Sequence, residues 1–468
     1  MFNVNPIFDN LILNTDSYKA SHFVQYPPNS EIVSSYIEAR GGQFKQALYF
    51  GLQAFIKAYL LQPVTQTHIE EAADIFAAHG VPFNRTGWEI IVQEYQGLMP
   101  VEICALPEGS IVPTGTALVQ IQNTDPRLCW LPSYLETMLL RAIWYPTTVA
   151  TLSWHAKQII RDYLETTCDQ PTEQLPFKLH DFGARGTSSQ ETAALGGMAH
   201  LVNFMGTDTV AALLAARRYY GAEMPAYSIP AAEHSTITSW GREHEADAYA
   251  NMLKQFAQPG KILAVVSDSY DIYHAVSEIW GKQLKEQVEQ SGATLVIRPD
   301  SGQPEIVVVE IMERLAQAFG SRLNQKGYRV LKDCVRIIQG DSVNLESLGV
   351  ILERVKARGF STENIAFGMG AGLLQKVNRD TLSFAMKASA IRIQGEWFDV
   401  YKQPITDLGK TSKRGRLAVI KTEAGWRTIR EDQLAEQENQ LQPIFRNGVL
   451  LKEVSFEQVR QRVMHQRS

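Results

Sequence analysis

Hydrophobic and polar positions follow two rhythms along this chain. From about residue 177 a unit recurs: a short β-rich run, a polar or glycine-containing turn, then a helical pattern. The clearest cases are ILAVV (262–266) before SDSYD, TLVIR (294–298) before PDSGQ, VRII (335–338) before QGDS, and NIAF (364–367) before GMGAG. Between them Val308, Ile311, Met312, Leu315 and Phe319 fall at helical spacing, as do Leu345, Leu348, Leu352 and Val355, with Gly359 as a stop. Weaker runs stand at FKL (177–179), VNF (202–204) and YSI (227–229), so strand starts recur every 25 to 40 residues or so, the length of a βα unit. About seven such units predict an irregular α/β barrel over 151–384, with its chemistry at the carboxyl ends of the strands.

The flanks keep the other rhythm. Residues 100–121 and 384–430 alternate apolar with polar positions and carry turn signals, which predicts small antiparallel sheets. Helices are expected at 50–61, 66–78 and 147–167. Residues 1–150 and 385–468 would then combine into a second, discontinuous domain of mostly β or α+β character.

Composition narrows the class. The chain has 468 residues, 45% hydrophobic and 20% charged, which is ordinary globular usage and excludes disorder, collagen and coiled coil. Forty-five basic against 50 acidic side chains leave a net charge of −5, so no global field draws it to nucleic acid or anionic membrane, and any anion site is local. Cys104, Cys129, Cys168 and Cys334 form no CxxC pair, which argues against a disulfide framework or cysteine zinc site. The start MFNVNPIFDN lacks a signal-peptide pattern and no run approaches the ~18 apolar residues of a membrane span. The expected location is the cytoplasm.

Candidate chemistry collects at the predicted strand ends. In HDFGARGTSSQET (180–192), Arg185 and free backbone amides suit a phosphate, although pairing with a surface carboxylate fits equally. In AAEHSTITSWG (231–241), His234 follows a strand and turn; a lone histidine is more often structural, and the strand-end placement raises the functional reading. Arg298 and Asp300 in VIRPDSGQP lie two apart and share a side, as a cation for phosphate beside a carboxylate for ribose hydroxyls, or as a mutual salt bridge. Gly340 and Asp341 in RIIQGDS, and Asp268 in VSDSYDIY, add further carboxylates. The run Gly368-Met369-Gly370-Ala371-Gly372 has the form of a phosphate nest at a helix start. It is not the GxGxxG fingerprint, and Gly409-Lys410-Thr411 lacks the upstream glycine of a P-loop, so dinucleotide redox and P-loop kinase readings lose support. Residues 402–421 carry Lys402, Lys410, Lys413, Arg414, Arg416 and Lys421 against Asp407 alone, a solvated basic loop or one that closes over polyphosphate. The residues by themselves describe a barrel enzyme acting on a phosphorylated metabolite.

The ordered motifs NTDSYKASH (14–22), QYPP (25–28), YFGLQ (49–53), PEGSIVPTG (107–115), HDFGARGTSSQET, VNFMGTDT (202–209), AAEHSTITSWG, VSDSYDIY, RPDSG, QGD, NIAFG and KRGRL (413–417) carry a specific resemblance. The chain resembles the nicotinamide phosphoribosyltransferases, type II phosphoribosyltransferases of NAD salvage, over nearly its whole length. The resemblance implies transfer from 5-phosphoribosyl 1-pyrophosphate to nicotinamide with magnesium held through pyrophosphate and water, ATP coupling through a phosphohistidine at His234, and a homodimer with shared active sites. Carried over by position, Phe182 stacks on the pyridine ring, Tyr18 of the partner subunit covers the other face, and Asp208 accepts from the carboxamide. Arg185, Arg298 and His234 correspond to pyrophosphate ligands, Asp300, Gly340 and Asp341 to ribose ligands, and Gly370 and Ala371 to the 5-phosphate nest. Arg379, Lys387, Lys402, Lys410 and Arg40 match further cations around the anions, some contributed across the dimer.

Two positions depart from the family pattern. Met369 and Ala371 replace serine and glycine; alanine suits a backbone-amide contact if its φ is negative and is strained if φ is positive. Ala264 stands on the wall expected for the ring's amide, where a serine can occur in relatives. The rivals are a nicotinate phosphoribosyltransferase and a non-catalytic phosphometabolite-binding barrel, the latter disfavoured by the charged set Arg185, His234, Arg298, Asp300 and Asp341.

Overall fold

The computed structural model describes residues 10–406, 411–423 and 425–466. The chain divides into two compact units, Met1–Thr151 with Arg218–Ala222 and Asn378–Ser468, and Leu152–Arg217 with Glu223–Val377. Sequence pattern alone groups 218–222 and 378–384 with 151–384. Long-range packing decides otherwise: the Tyr220 ring stacks on Phe50 at 5.2 Å, and its hydroxyl donates to the buried carboxylate of Glu108 at 2.6 Å. The amides of Arg40 and Gln43 donate to the carbonyls of Leu382 and Thr381 at 3.0 and 2.9 Å, tying the other stretch down.

The second unit is built on β1 (Leu179–Asp181), β2 (Gly206–Thr207), β3 (Ile262–Val266), β4 (Thr294–Arg298), β5 (Val335–Gln339) and β6 (Ile365–Met369). They form one six-stranded sheet in the order β2-β1-β6-β5-β4-β3, with every pair parallel. Each strand neighbours its predecessor except β3, which starts at the edge opposite β2, and β6 returns beside β1, the winding of a curled, barrel-like sheet rather than a doubly wound one. Residues 227–229 do not make the expected seventh strand; Tyr227 bridges Gly206 and Ala231 bridges Ala264, one pair at each sheet edge. FKL begins two residues early, since β1 starts at Leu179. VNF is no strand: its buried apolar residues fill the turn after helix Gln190–His200, and β2 follows it. Apolar runs this short do not distinguish strand from buried turn.

The clear strands read as continuous apolar runs because both faces are covered. On the inner face Ala264, Val296 and Ile338 form a buried cluster against which Phe182, Ile229 and Ala366 pack. Outside, helix Pro304–Phe319 starts with proline in its first turn, where no amide is missed, and buries Val308, Ile311, Met312, Leu315 and Phe319. Helix Leu345–Ala357 is capped by Asn344 and ends before Gly359 at φ +76°. The stacked rings of Trp280 and Tyr249, 4.6 Å apart, brace the end of β3, where the indole donates to Ser267 Oγ at 3.1 Å.

In the other unit Ser30–Ala39 lies antiparallel between Phe384–Ile393 and Ala117–Asn123, inside a seven-stranded sheet that continues through Val101–Ala105 to Gln442–Arg446. Helix Glu136–Thr167 begins earlier than expected and runs through Pro146, whose ring lies where a Cβ on Gly51 would stand 2.4 Å from its Cγ.

Lys178, just before β1, is buried and donates to the Glu363 carbonyl at 2.7 Å. Burial pushes its pKa down from 10.5 to about 8. Between those values the unfolded chain binds more protons than the folded one, so folding is favoured as pH rises through that window and disfavoured as it falls toward about 8. Against a Lys178→Met variant, wild-type unfolding free energy should rise by roughly 3 kcal/mol between those limits, read from denaturant midpoints. A pH-independent difference would contradict a charged lysine buried there.

Candidate active site

The parallel strands bring their carboxyl ends to one rim, and side chains two apart along a strand share a face. Above the apolar layer of Ala264, Val296, Ile338 and Ala366, the next positions of β4, β5 and β6 are Arg298, Gly340 and Gly368. Phe182, directly after β1, donates its amide to the Met369 carbonyl at 3.0 Å. Its ring lies on the two glycines: a Cβ on Gly368 would stand 2.0 Å from Cε2, and one on Gly340 at 3.4 Å. The Arg298 guanidinium lies 6.0 Å from the same ring centroid. Gly368 therefore seats the aromatic ring and does not belong to an anion nest.

At the rim Arg298 Nη2 donates to Asp300 Oδ2 at 3.0 Å, so the mutual salt bridge forms within the site. Arg298 Nε is buried without a partner among the described residues. The Asp268 side chain is 3% exposed and gathers the other groups. Its Oδ1 meets His234 Nε2 at 3.0 Å, while its Oδ2 accepts from the Asp300 amide at 3.0 Å and from the Ser301 hydroxyl. Against a carboxylate acceptor Nε2 is the donor, which leaves Nδ1 on the other side of the ring, 3.8 Å from Asp300 Oδ2. His234 opens the short helix His234–Thr238 behind a capping box of Glu233 and Thr236.

Asp208 follows β2 and is exposed; its Oδ1 accepts from the Ser228 hydroxyl, leaving Oδ2 free among the described residues. Asp341 follows Gly340, with its backbone carbonyl held by Gln339 Nε2 and its Oδ2 by the Ser342 hydroxyl, each at 2.9 Å. Gly370 caps the turn Ala371–Leu374, and Ala371 has no left-handed φ, so alanine is unstrained there. The turn bearing exposed Arg185 packs on this one, for a Cβ on Gly186 would meet Ala371 Cβ at 3.1 Å. Arg185 has no ion pair among the described residues.

The structure thus gathers Phe182, Arg185, Asp208, His234, Asp268, Arg298, Asp300, Gly340, Asp341, Gly370 and Ala371 at one rim. Tyr18, Arg40, Arg379, Lys387 and Lys402 belong to the other unit, and Lys410 lies outside the described residues. Within that unit Tyr18 is 59% exposed. Burial holds Lys387 below the usual lysine range, with Arg40, Lys402 and Arg379 pushing the same way and only Glu136 opposing. Sequence reasoning missed Ser228 and Ser301, whose hydroxyls donate to Asp208 and Asp268. Each reaches a carboxylate 20 or 33 residues away in sequence, and nothing in the pattern around either serine marks it.

Two family models match: the nicotinate phosphoribosyltransferase family over residues 177–449, and the N-terminal domain of nicotinamide phosphoribosyltransferase over residues 10–103. A nicotinamide phosphoribosyltransferase of Xanthomonas campestris is 56% identical over 458 residues, covering 97% of each chain. That of Acinetobacter baylyi is 31% identical, covering 99% of this chain and 98% of its own. This chain belongs to the nicotinamide phosphoribosyltransferase family. Solved structures share the fold at low identity: a nicotinate-nucleotide pyrophosphorylase from Pyrococcus furiosus with TM-score 0.62 at 17% identity, covering 100% of this chain and 97% of that one, and human nicotinic acid phosphoribosyltransferase with TM-score 0.56 at 16%, covering 96% and 92%. In this member of the nicotinamide phosphoribosyltransferase family the ring of Phe182, the paired charges and the turn at Gly370 are supplied by the strand ends and the loops that follow them.

Substituting Gly368→Ala places a carbon about 2 Å from the Phe182 ring. The ring must leave its seat, at an overpacking cost of about 1–3 kcal/mol in the denaturant midpoint, whereas Gly340→Ala should lose clearly less. Equal midpoints for Gly368→Ala and wild type would show that the ring does not rest there.

Proposed function

We propose that this chain transfers the phosphoribosyl group of 5-phosphoribosyl 1-pyrophosphate to the ring nitrogen of nicotinamide, giving nicotinamide mononucleotide and pyrophosphate for NAD salvage. The observation that carries this reading is the Phe182 ring seated on Gly340 and Gly368, with Arg298 beside it and a free carboxylate oxygen of Asp208 at the neighbouring strand end. The flat ring accepts a flat heteroaromatic by stacking. The Asp208 oxygen accepts from an amide NH₂ and repels the carboxylate of nicotinate, a clash that is severe once desolvated.

In the transfer the bond from C1′ to the pyrophosphate oxygen breaks and a bond from C1′ to the pyridine nitrogen forms. The nitrogen already holds its lone pair, so no strong base is needed. Catalysis comes from placing the ring and from fixed charge on the departing pyrophosphate, which Arg298, Arg185 and His234 supply, while Asp300 and Asp341 hold the ribose hydroxyls. Amides at Gly370 and Ala371 face the 5-phosphate. Magnesium, when bound to the pyrophosphate, neutralises leaving-group charge. The donor set suits a water-mediated role: among the described residues no three His, Cys, Asp or Glu side chains cluster as ligands, while the Asp300 Oδ1 and Asp341 Oδ1 acceptors are open.

The contact that orients His234 Nε2 on Asp268 and leaves Nδ1 on the other side of the ring supports ATP coupling. Nδ1 attacks the γ-phosphorus, the bond to the ADP oxygen breaks, and ADP leaves. A homodimer with Tyr18 of the partner subunit over the second ring face and added cations around the anions completes the reading; exposed Tyr18 and the crowding of Lys387 by Arg40, Lys402 and Arg379 support it. The described free cysteines support a cytoplasmic setting, and no helix among the described residues is long and apolar enough to cross a membrane.

Incubating the purified protein with nicotinamide, 5-phosphoribosyl 1-pyrophosphate and magnesium should yield the mononucleotide. Asp208→Asn should narrow the preference for nicotinamide over nicotinate by about tenfold or more in kcat/KM. An unchanged ratio would remove the amide assignment. ATP should stimulate wild type and leave acid-labile phosphate on it, and His234→Ala should show neither. Stimulation surviving in that variant would rule out a phosphohistidine there.

A further inference from the structure

Asp181 ends β1, one residue before the ring that seats the substrate, and its side chain is fully buried. A carboxylate in such a place is ordinarily matched by a cation. Among the described residues no lysine, arginine or histidine bonds this one. Instead Oδ1 accepts from the Gly183 amide at 2.7 Å and Oδ2 from the Thr207 hydroxyl at 3.2 Å. Its backbone carbonyl accepts from the Asp208 amide at 2.9 Å. Helix Gln190–His200 makes room for it, since a Cβ on Gly197 would stand 2.9 Å from Oδ2. Burial raises its pKa, with the Asp208 charge a smaller contributor in the same direction.

These bonds connect the two places on which ring recognition depends. Gly183 directly follows Phe182 and opens the turn that carries Arg185. Thr207 directly precedes Asp208. One side chain therefore spans the β1 and β2 ends and holds the stacking ring and the amide acceptor in a fixed mutual position. A hydrophobic residue of similar size would fill the space without bonding either loop. Retaining an uncompensated carboxylate costs stability, and strain of that kind is kept where geometry is needed.

We propose that Asp181 is a positioning residue that sets the preference of this site for the amide over the acid, acting through the spacing of Phe182 and Asp208 and touching no substrate itself. The proposal rests on the assignment of those two residues as ring and amide contacts. Asn keeps an acceptor for the Gly183 amide but presents an NH₂, or turns it toward that amide, so one of the two loops loses its anchor.

The experiment measures kcat and KM for nicotinamide, nicotinate and 5-phosphoribosyl 1-pyrophosphate in wild type, Asp181→Asn, Thr207→Val and Asp208→Asn, with melting temperature alongside. In Asp181→Asn the nicotinamide KM should rise about tenfold and the amide-to-acid ratio of kcat/KM fall several-fold, while the KM for the phosphoribosyl donor stays within about twofold. Thr207→Val, which removes the hydroxyl that bonds Asp181 and also accepts from the Thr209 amide, should move the ratio in the same direction by less, and it decides the matter should the Asn variant not fold. A lowered melting temperature with an unmoved ratio overturns the proposal, as does a parallel rise in the KM values of both substrates. Should Asp208→Asn itself leave the ratio unchanged, the amide assignment fails and the proposal falls with it; a ratio that responds to Asp208→Asn but not to Asp181→Asn or Thr207→Val sinks the proposal alone.

Discussion

The Phe182 ring occupies the volume that a side chain at Gly368 would fill, and the rest of the rim is arranged around that contact. An aromatic ring laid flat on a strand needs a strand without Cβ beneath it. β6 supplies this at Gly368, and β5 adds Gly340 alongside. With the ring so placed, Arg298 reaches its face and the turn after Phe182 meets the turn at Gly370 and Ala371. The ring thus links a shape requirement on two strands to the charge arrangement above them.

That charge arrangement is economical in groups. One carboxylate, Asp268, orients His234, receives the Asp300 amide and takes the Ser301 hydroxyl, so the imidazole, the β4 carboxylate and the loop after it move as one body. Asp300 in turn pairs with Arg298. Arg298 is thus held in position by its own partner, and fixed charge of this kind stabilises a leaving group without reorganisation.

Much of this was legible from the chain. The strong strands β3 to β6 announced themselves as apolar runs ending in charged or glycine turns, and the helices Pro304–Phe319 and Leu345–Ala357 by their spacing and stops. The rim residues followed from those strand ends once the motif resemblance gave them roles. Short elements were not legible, because β2 has two residues and 227–231 contributes single bridges, too little for periodicity to register. The part played by Gly368 was misassigned for a different reason: a glycine's purpose lies in what approaches it, and the approaching ring is nearly two hundred residues away in sequence. The place of 218–222 escaped on the same ground, since Tyr220 is fixed by Phe50 and Glu108.

The strand Ser30–Ala39 has its longest partner in Phe384–Ile393, more than three hundred residues downstream. During synthesis it leaves the ribosome early and waits while the whole parallel sheet is made, with one hydrogen-bonding edge bare and most of its residues destined for burial. An unpaired apolar edge is a template for pairing with other chains, and closing so large a loop is slow. The sheet around Ser30–Ala39 therefore becomes native only after the parallel sheet has been made, and the nascent chain is most exposed to aggregation just before Phe384–Ile393 appears.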